Sequence, residues 1–199
     1  KALPLRFQGH EDWVNDVECR VAEKQVVHYK YLIYDENTNS FTEEWGNDRV
    51  IDQLTLKTEH YFCYDTWNSI GSHENVFMTS PFQEVLLKGN TTTSPNGKNK
   101  KFTHIFKVKA PLLHHRQTLC IIGSCGELGE WSVAEPLRMV KDGDNWTIKI
   151  DLSKRTTDVN YKYGVYDADE KRFMFFEQGP DRYAAVIGSK NTIVQVHDG

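Results

Sequence analysis

The chain has 199 residues, 39% of them hydrophobic, and a formal net charge of −4, which allows one large domain or two all-β units of about 100 residues each. A pI near 6.1, with lysines scattered apart from Lys98, Lys100 and Lys101, excludes the basic field that draws proteins to nucleic acid. No run approaches the ~20 apolar residues needed to cross a bilayer, and the opening Lys1-Ala2-Leu3-Pro4-Leu5-Arg6-Phe7 is not a secretory signal, so no membrane partner is expected.

The strand signals come early. Val27, Tyr29, Tyr31 and Ile33 alternate around Lys30, predicting a strand with one face on a core and Lys30 on the other. Residues 14–21 form a looser version of the same pattern. The stretch 89–99 is polar, carries Gly89, Pro95 and Gly97 and lacks periodicity, which predicts a flexible linker. Strands are expected at 103–109 and 118–123, then at Trp146, Ile148, Ile150 and Leu152, and again where Val159, Tyr161, Tyr163 and Val165 alternate around Lys162. Turn signals separate them: Asp142-Gly143-Asp144-Asn145, Asp167-Ala168-Asp169 and Gly179-Pro180-Asp181. No window of twelve residues sustains a helical stripe, so the fold class is all-β.

The chain also repeats itself. Ala2, Pro4, Leu5 and Arg6 recur as Ala134, Pro136, Leu137 and Arg138, 132 positions later. The same spacing carries Tyr29-Lys30-Tyr31 to Tyr161-Lys162-Tyr163 and Tyr34-Asp35 to Tyr166-Asp167, while Trp13 reaches Trp146, and Asp48-Arg49 reaches Asp181-Arg182, 133 positions on. One module is therefore present twice, as tandem antiparallel β-sandwiches of the immunoglobulin-like kind: 1–89, a linker at 90–101, and 102–199. The first copy lacks counterparts of the strands at 103–109 and 118–123. It is expected to be truncated at its N-terminus, with some 25 to 35 residues preceding it in the natural protein, by comparison with 103–133.

Cys19, Cys63, Cys120 and Cys125 are too few for a disulfide scaffold and form no close metal-type pair. Reduced, buried thiols and a cytoplasmic protein are the expectation. Eight histidines include His114-His115 but no H-E-x-x-H spacing, so no metal is expected. No cofactor is expected either, because Gly123 to Gly129 lacks the lysine of a phosphate-binding loop and no G-x-S-x-G elbow exists. With 28 acidic residues, chance carboxylate pairs carry no glycosidase signal, and no catalytic residue is assigned.

Oligosaccharide sites set a flat aromatic ring against the apolar face of a sugar and place polar side chains on its hydroxyls. Gly123-x-x-x-Glu127-Leu128-Gly129-Glu130-Trp131 puts a tryptophan just after a glycine-bearing turn, a place where ligand platforms and half-buried core residues both occur. This string, then Pro136-Leu137, Asn145-Trp146-Thr147, Asn160-Tyr161-Lys162-Tyr163 and Phe175-Phe176-Glu177-Gln178-Gly179-Pro180-Asp181-Arg182, resembles the starch-binding domain of carbohydrate-binding module family 20. The resemblance spans 102–196. It implies a principal glucan site at Trp131 and Lys162, with Phe176 and Glu177 where the family has tryptophan and glutamate, and Asp181 where it has asparagine. It implies a second site at Trp146, matched by Trp13 in the first copy, although both tryptophans head alternating strands and fit a core equally well. Lys30 corresponds to the principal-site lysine, and Trp45 stands two places later than Phe176 does relative to the arginine, as a displaced stacking residue.

Phe62-Cys63-Tyr64-Asp65-Thr66-Trp67, His73-Glu74-Asn75-Val76-Phe77 and Ser80-Pro81-Phe82-Gln83-Glu84-Val85 resemble the segment joining the two starch-binding modules of plant-type disproportionating enzymes, amylomaltase-like 4-α-glucanotransferases. The Val196-His197-Asp198-Gly199 ending resembles the approach to their catalytic barrel. The resemblance implies a non-catalytic region that binds starch, glycogen-like glucan or maltooligosaccharide beside a C-terminal catalytic domain. The alternative is an interaction module whose aromatics dock that barrel or another subunit, with little or no glucan binding.

Overall fold

A computed structural model describes residues 2–10, 12–20, 25–79, 82 and 101–198, so positions 90–100 of the expected linker lie outside the described residues. The fold is all-β, with short 3-10 turns at His73–Met78 and Gly126–Leu128.

The strands of the first copy are β1 (Arg6–Gly9), β2 (Asp12–Val14), β3 (Val27–Tyr29), β4 (Leu32–Asp35), β5 (Ser40–Glu43), β6 (Arg49–Ile51) and β7 (His60–Asp65). Strand β2 stops at Val14, and 15–20 carry no strand, which corrects the expectation of a strand over 14–21. The run around Lys30 is split into β3 and β4, which pair separately with β6 and β5.

The second copy supplies β8 (His104–Val108), β9 (Gln117–Gly123), β10 (Leu137–Arg138), β11 (Val140–Asp142), β12 (Asn145–Ile150), β13 (Val159–Asp167), β14 (Arg172–Phe176), β15 (Arg182–Ala184) and β16 (Thr192–Asp198). One sheet runs β10-β9-β13-β14, with β15 also on β13. The other runs β11-β12-β8-β16-β7. Their inner faces meet in one core that includes Phe106, Ile121, Leu128, Trp146, Tyr161 and Val194. Each such fully buried aliphatic side chain contributes roughly 1.5–3 kcal/mol. The expected alternation is met on β13, where Tyr161 and Tyr163 are buried and Lys162 lies on the opposite face.

Two turns show how composition sets geometry. At Asp142-Gly143-Asp144-Asn145 the ladder closes with Asp142 opposite Asn145, and Gly143 takes φ 58°, a conformation that costs glycine little. After β13, Asp167 Oδ1 accepts the N–H groups of Asp169 and Glu170 at 2.9 Å, and Asp35 Oδ1 accepts that of Asn37 at the same distance in the first copy. An aspartate at the end of each strand thus forms the same side-chain turn.

Strand β7 crosses the sequence division. It belongs to the first copy, yet it pairs in parallel with β16 from His60↔Thr192 to Asp65↔His197. Beside that pairing Arg49 is almost fully buried. It donates to Glu44 (Nη2–Oε2 2.7 Å), to the Thr66 carbonyl (2.7 Å) and to His197 Nδ1 (2.8 Å). Burial, with Arg49, Lys109 and Lys107 nearby, lowers the His197 pKa to about 3. Asp65 lies 3.8 Å from the ring but is already committed to Arg49. The neutral ring accepts from Arg49 at Nδ1 and donates from Nε2 to Asn145 Oδ1 at 3.0 Å. Residues 44–66 and the β16 end of the chain are therefore joined by a ladder and by a filled polar network rather than by apolar contact alone.

Candidate functional site: an aromatic loop beside the Lys162 face

Trp131 sits on a loop tied down at nearly every backbone amide. Leu128 N–H donates to the Cys125 carbonyl (2.9 Å), Gly129 to Gly126 (3.2 Å), Glu130 to Cys125 (3.0 Å), Trp131 to Gly123 (2.9 Å) and Ser132 to Gly129 (2.8 Å). Leu128 anchors the loop beneath, fully buried, and Gly123 leaves room for it: a Cβ there would lie 2.7 Å from Leu128 Cδ1 and 2.5 Å from the Asn160 carbonyl. Arg155 braces the outside through Nε to Glu127 Oε2 at 2.6 Å, which holds the Glu127 carboxyl below its ordinary range.

Three successive residues, Gly129 (φ 81°), Glu130 (φ 49°) and Trp131 (φ 62°), are left-handed. For the two non-glycines this costs roughly 1–3 kcal/mol each, offset by the amide bonds and the Leu128 anchor. The loop spends stability to hold the Trp131 side chain 37% exposed.

Register brings the other residues to the same end of the sheet. Gly123, which holds Trp131, lies opposite Tyr161, and Lys162 lies opposite Ile122. The Lys162 ammonium donates to the Gly179 carbonyl at 2.6 Å and stands 3.8 Å from Asp181 Oδ1, so the turn after β14 folds back over the lysine. Phe176 pairs with Gly164 on the face shared with Lys162 and packs its ring 4.6 Å from Phe173; it is half-buried. Glu177 accepts from Arg182 Nη2 at 2.9 Å and from the Tyr163 N–H at 3.0 Å, so its carboxylate holds the turn in place. That hydrogen bond also raises the Arg182 pKa.

The remaining expected residues lie elsewhere. Trp146 is 5% exposed within the core, which favours the core over the stacking platform, the two readings the sequence left open: its strand lies between β11 and β8, with Trp146 opposite Val108. Its counterpart Trp13 is exposed, on the separate β1–β2 hairpin, with its ring 5.4 Å from Phe7. Lys30 pairs with Glu43 at 3.6 Å. Trp45, two residues further along, is half-buried, with its N–H on the Asn68 carbonyl.

Sequence reasoning missed Tyr183, which is 70% exposed and lies opposite Asn160, on the outer face with Lys162. The signal was available: Arg182 turns inward to Glu177 and Asp198, so the next residue of a strand must point outward.

On this face Lys162 stands by Asp181 and, at the loop, Arg155 by Glu127, while Arg138, opposite Cys120 and so on the face of Gly164, lies over the Tyr166 ring. Among the described residues no group of His, Cys, Asp or Glu is arranged to hold a metal ion, and no helix is long and apolar enough to cross a membrane. What the surface offers is an open indole, further aromatic rings and hydrogen-bonding groups at fixed positions.

Residues 101–196 match the family described as "Starch binding domain", carbohydrate-binding module family 20. Over 192 residues the chain is 28% identical to the Oryza sativa subsp. japonica protein named 4-alpha-glucanotransferase DPE2, a match that covers 90% of this chain and 20% of that protein. The chain thus spans about a fifth of the length of that curated relative. Among solved structures it is similar to the family 20 module of the maltotetraose-forming amylase of Pseudomonas saccharophila STB07, with 16% identity, a TM-score of 0.40, and 48% of this chain and 98% of that one covered. A second is the family 15 glucoamylase of Hypocrea jecorina, at 18% identity and TM-score 0.41, with 49% and 17% covered. The all-β assignment rests on the strand pairing described above.

Proposed function

We propose that this chain is the non-catalytic, α-1,4-glucan-binding region of a 4-α-glucanotransferase, built from tandem starch-binding modules, and that it holds starch or maltooligosaccharide for a catalytic domain elsewhere in the protein. The observation that carries the reading is the Trp131 loop, which accepts left-handed backbone at two non-glycines to keep an indole open at the end of the Lys162 face. Such a ring covers the apolar face of a glucose unit while Lys162, Asp181 and the exposed Tyr183 hydroxyl meet its hydroxyls. The rice relative supports the parent activity, and the family match at 101–196 supports the ligand.

Binding at one such site is weak, on the order of micromolar to millimolar, because an open face buries little ligand area. Attachment through two modules raises apparent affinity by about 10² to 10⁴. Sedimentation with insoluble starch granules tests the reading: the chain pellets with starch, and soluble maltoheptaose releases it. A chain that stays in the supernatant at every granule concentration contradicts it.

The docking alternative draws on other observations. Tyr34 and Phe41 form an exposed ring pair at 4.8 Å on the β4–β5 hairpin, and exposed aromatics of this kind serve as interface anchors. On that reading Trp131→Ala alters association with a partner and leaves glucan binding unchanged.

A further inference from the structure

Residues 44–50 and 67–78 of the first copy and the ends of β8, β12 and β16 together line a cleft. It has two lobes, of about 200 and 120 Å³, which share Asn68, Met78 and Lys109. Trp67 lines the larger lobe and Trp45 the smaller. Both tryptophans come from the first copy, both are half-buried and each lines one lobe. Lys109 comes from the second copy, so neither copy contains this site alone.

The walls are fixed before any ligand arrives. Trp45 N–H donates to the Asn68 carbonyl at 2.9 Å and the Asn68 amide donates back to the Trp45 carbonyl at 3.0 Å, which clamps the two loops together. The buried Asn75 amide donates to the Ser69 carbonyl at 2.8 Å. Arg49 ties the same loop at the Thr66 carbonyl. Side chains held in this way lose little freedom when a ligand binds.

The charges of the cleft nearly cancel. Glu44 is neutralised by Arg49 at 2.7 Å, and the lysines at 107 and 109 face Asp144. Lys107 donates to the Val50 carbonyl at 3.4 Å. Lys109 has no ion pair among the described residues, and its partial burial lowers its pKa. A half-desolvated ammonium of this kind is a hydrogen-bond donor that gains from an acceptor oxygen. Two half-buried tryptophans lining the lobes, buried amides and one such ammonium, with little net charge, suit a neutral polyhydroxylated ligand better than an anion.

We infer that this junction cleft is a second carbohydrate site, which takes a segment of the same neutral glucan, stacks it on Trp45 and Trp67 and orients it through Lys109. The inference rests on the glucan-binding reading above and adds a site formed only by the two copies together.

The five tryptophans give a direct test through their indole N–H signals in a ¹⁵N-labelled chain titrated with maltoheptaose. The Trp45 and Trp67 signals move saturably, and they still move in Trp131→Ala. Lys109→Met weakens their response about tenfold while the Trp131 response stays as it was, which also shows that the variant remains folded. If only the Trp131 signal moves, or if the Trp45 and Trp67 shifts vanish in Trp131→Ala, the junction site is wrong and the glucan reading stands. If no indole responds to maltoheptaose, both fail. Movement of Trp45 and Trp67 with inorganic phosphate but not with maltoheptaose overturns the carbohydrate assignment of the cleft.

Discussion

Asp65 and Asp198, 133 positions apart, occupy the same place in two buried networks of like composition. Asp65 Oδ2 accepts the hydroxyls of Tyr29 and Tyr31 at 2.7 and 2.9 Å, and Oδ1 accepts Arg49 Nη1 at 3.1 Å. Asp198 accepts Tyr161 and Tyr163 at 2.8 and 2.9 Å, and Arg182 Nη1 at 3.0 Å. The arginine of each set also holds a glutamate, Glu44 or Glu177, which accepts the N–H of the second tyrosine. The Arg49 set also reaches His197 on β16. The two sets share one arrangement of two tyrosines, an aspartate, an arginine and a glutamate, and the Arg49 set lies beside the β7–β16 ladder.

That joint is costly to break. Arg49→Met leaves the buried carboxylates of Glu44 and Asp65 uncompensated, and the expected loss is about 3–5 kcal/mol. The equivalent Arg182→Met costs less, because the Arg182 side chain is 36% exposed against 6% for Arg49 and water screens the charges it leaves behind. Urea unfolding of both variants checks the order, and equal losses contradict it.

Acid weakens the same joint. His197 is neutral in the folded chain, with its pKa lowered to about 3, while unfolded histidine titrates near 6.5. Below about pH 6.5 the unfolded chain takes up a proton that the folded chain refuses, so this contribution to stability is full above that pH and falls toward pH 3. Between pH 7.5 and 5.5 the expected loss is about 1.4 kcal/mol. His197→Gln, which keeps a polar side chain without titrating, removes that part of the pH dependence; an unchanged slope in the variant refutes the assignment to His197.

Gly123 sets the seat of the Trp131 loop. Gly123→Ala drives a Cβ to 2.5 Å from the Asn160 carbonyl and 2.7 Å from Leu128 Cδ1. The resulting overpacking costs about 1–3 kcal/mol, and glucan affinity falls with it because the indole is displaced. Thermal unfolding and a maltoheptaose titration measure the two effects; a variant with wild-type affinity shows that the seat does not position Trp131.

The Arg155–Glu127 brace separates positioning from stability. Both side chains are partly exposed, so water screens the pair and Arg155→Ala leaves the unfolding free energy little changed. Glucan affinity drops several-fold as the loop loses its outer support. An unchanged dissociation constant for β-cyclodextrin removes Arg155 from the account.

The second copy was legible because its strands obey period-two alternation and its turns carry Asp and Gly where the backbone needs them. Trp131, Lys162 and Asp181 were named by the family resemblance, and the structure folds the turn at Gly179 and Asp181 back onto Lys162. Trp146 could not be settled in that way: the head of an alternating strand looks the same whether the ring faces a core or a ligand, and only the pairing with β8 decides. The joint was hidden for a different reason. Parallel pairing of β7 with β16 is a contact between strands some 130 residues apart, and nothing local in His60–Asp65 names its partner. Even so, the repeat contained the clue, because Arg49 and Arg182 were visibly equivalent.

The most direct test of the central claim is calorimetric titration of maltoheptaose into the chain and into Trp131→Ala. The account predicts saturable heat in the micromolar to millimolar range for the wild-type chain, with the Trp131 site lost in the variant and only the weaker junction response left. Identical isotherms for the two proteins, or no heat from either at millimolar glucan, contradict it.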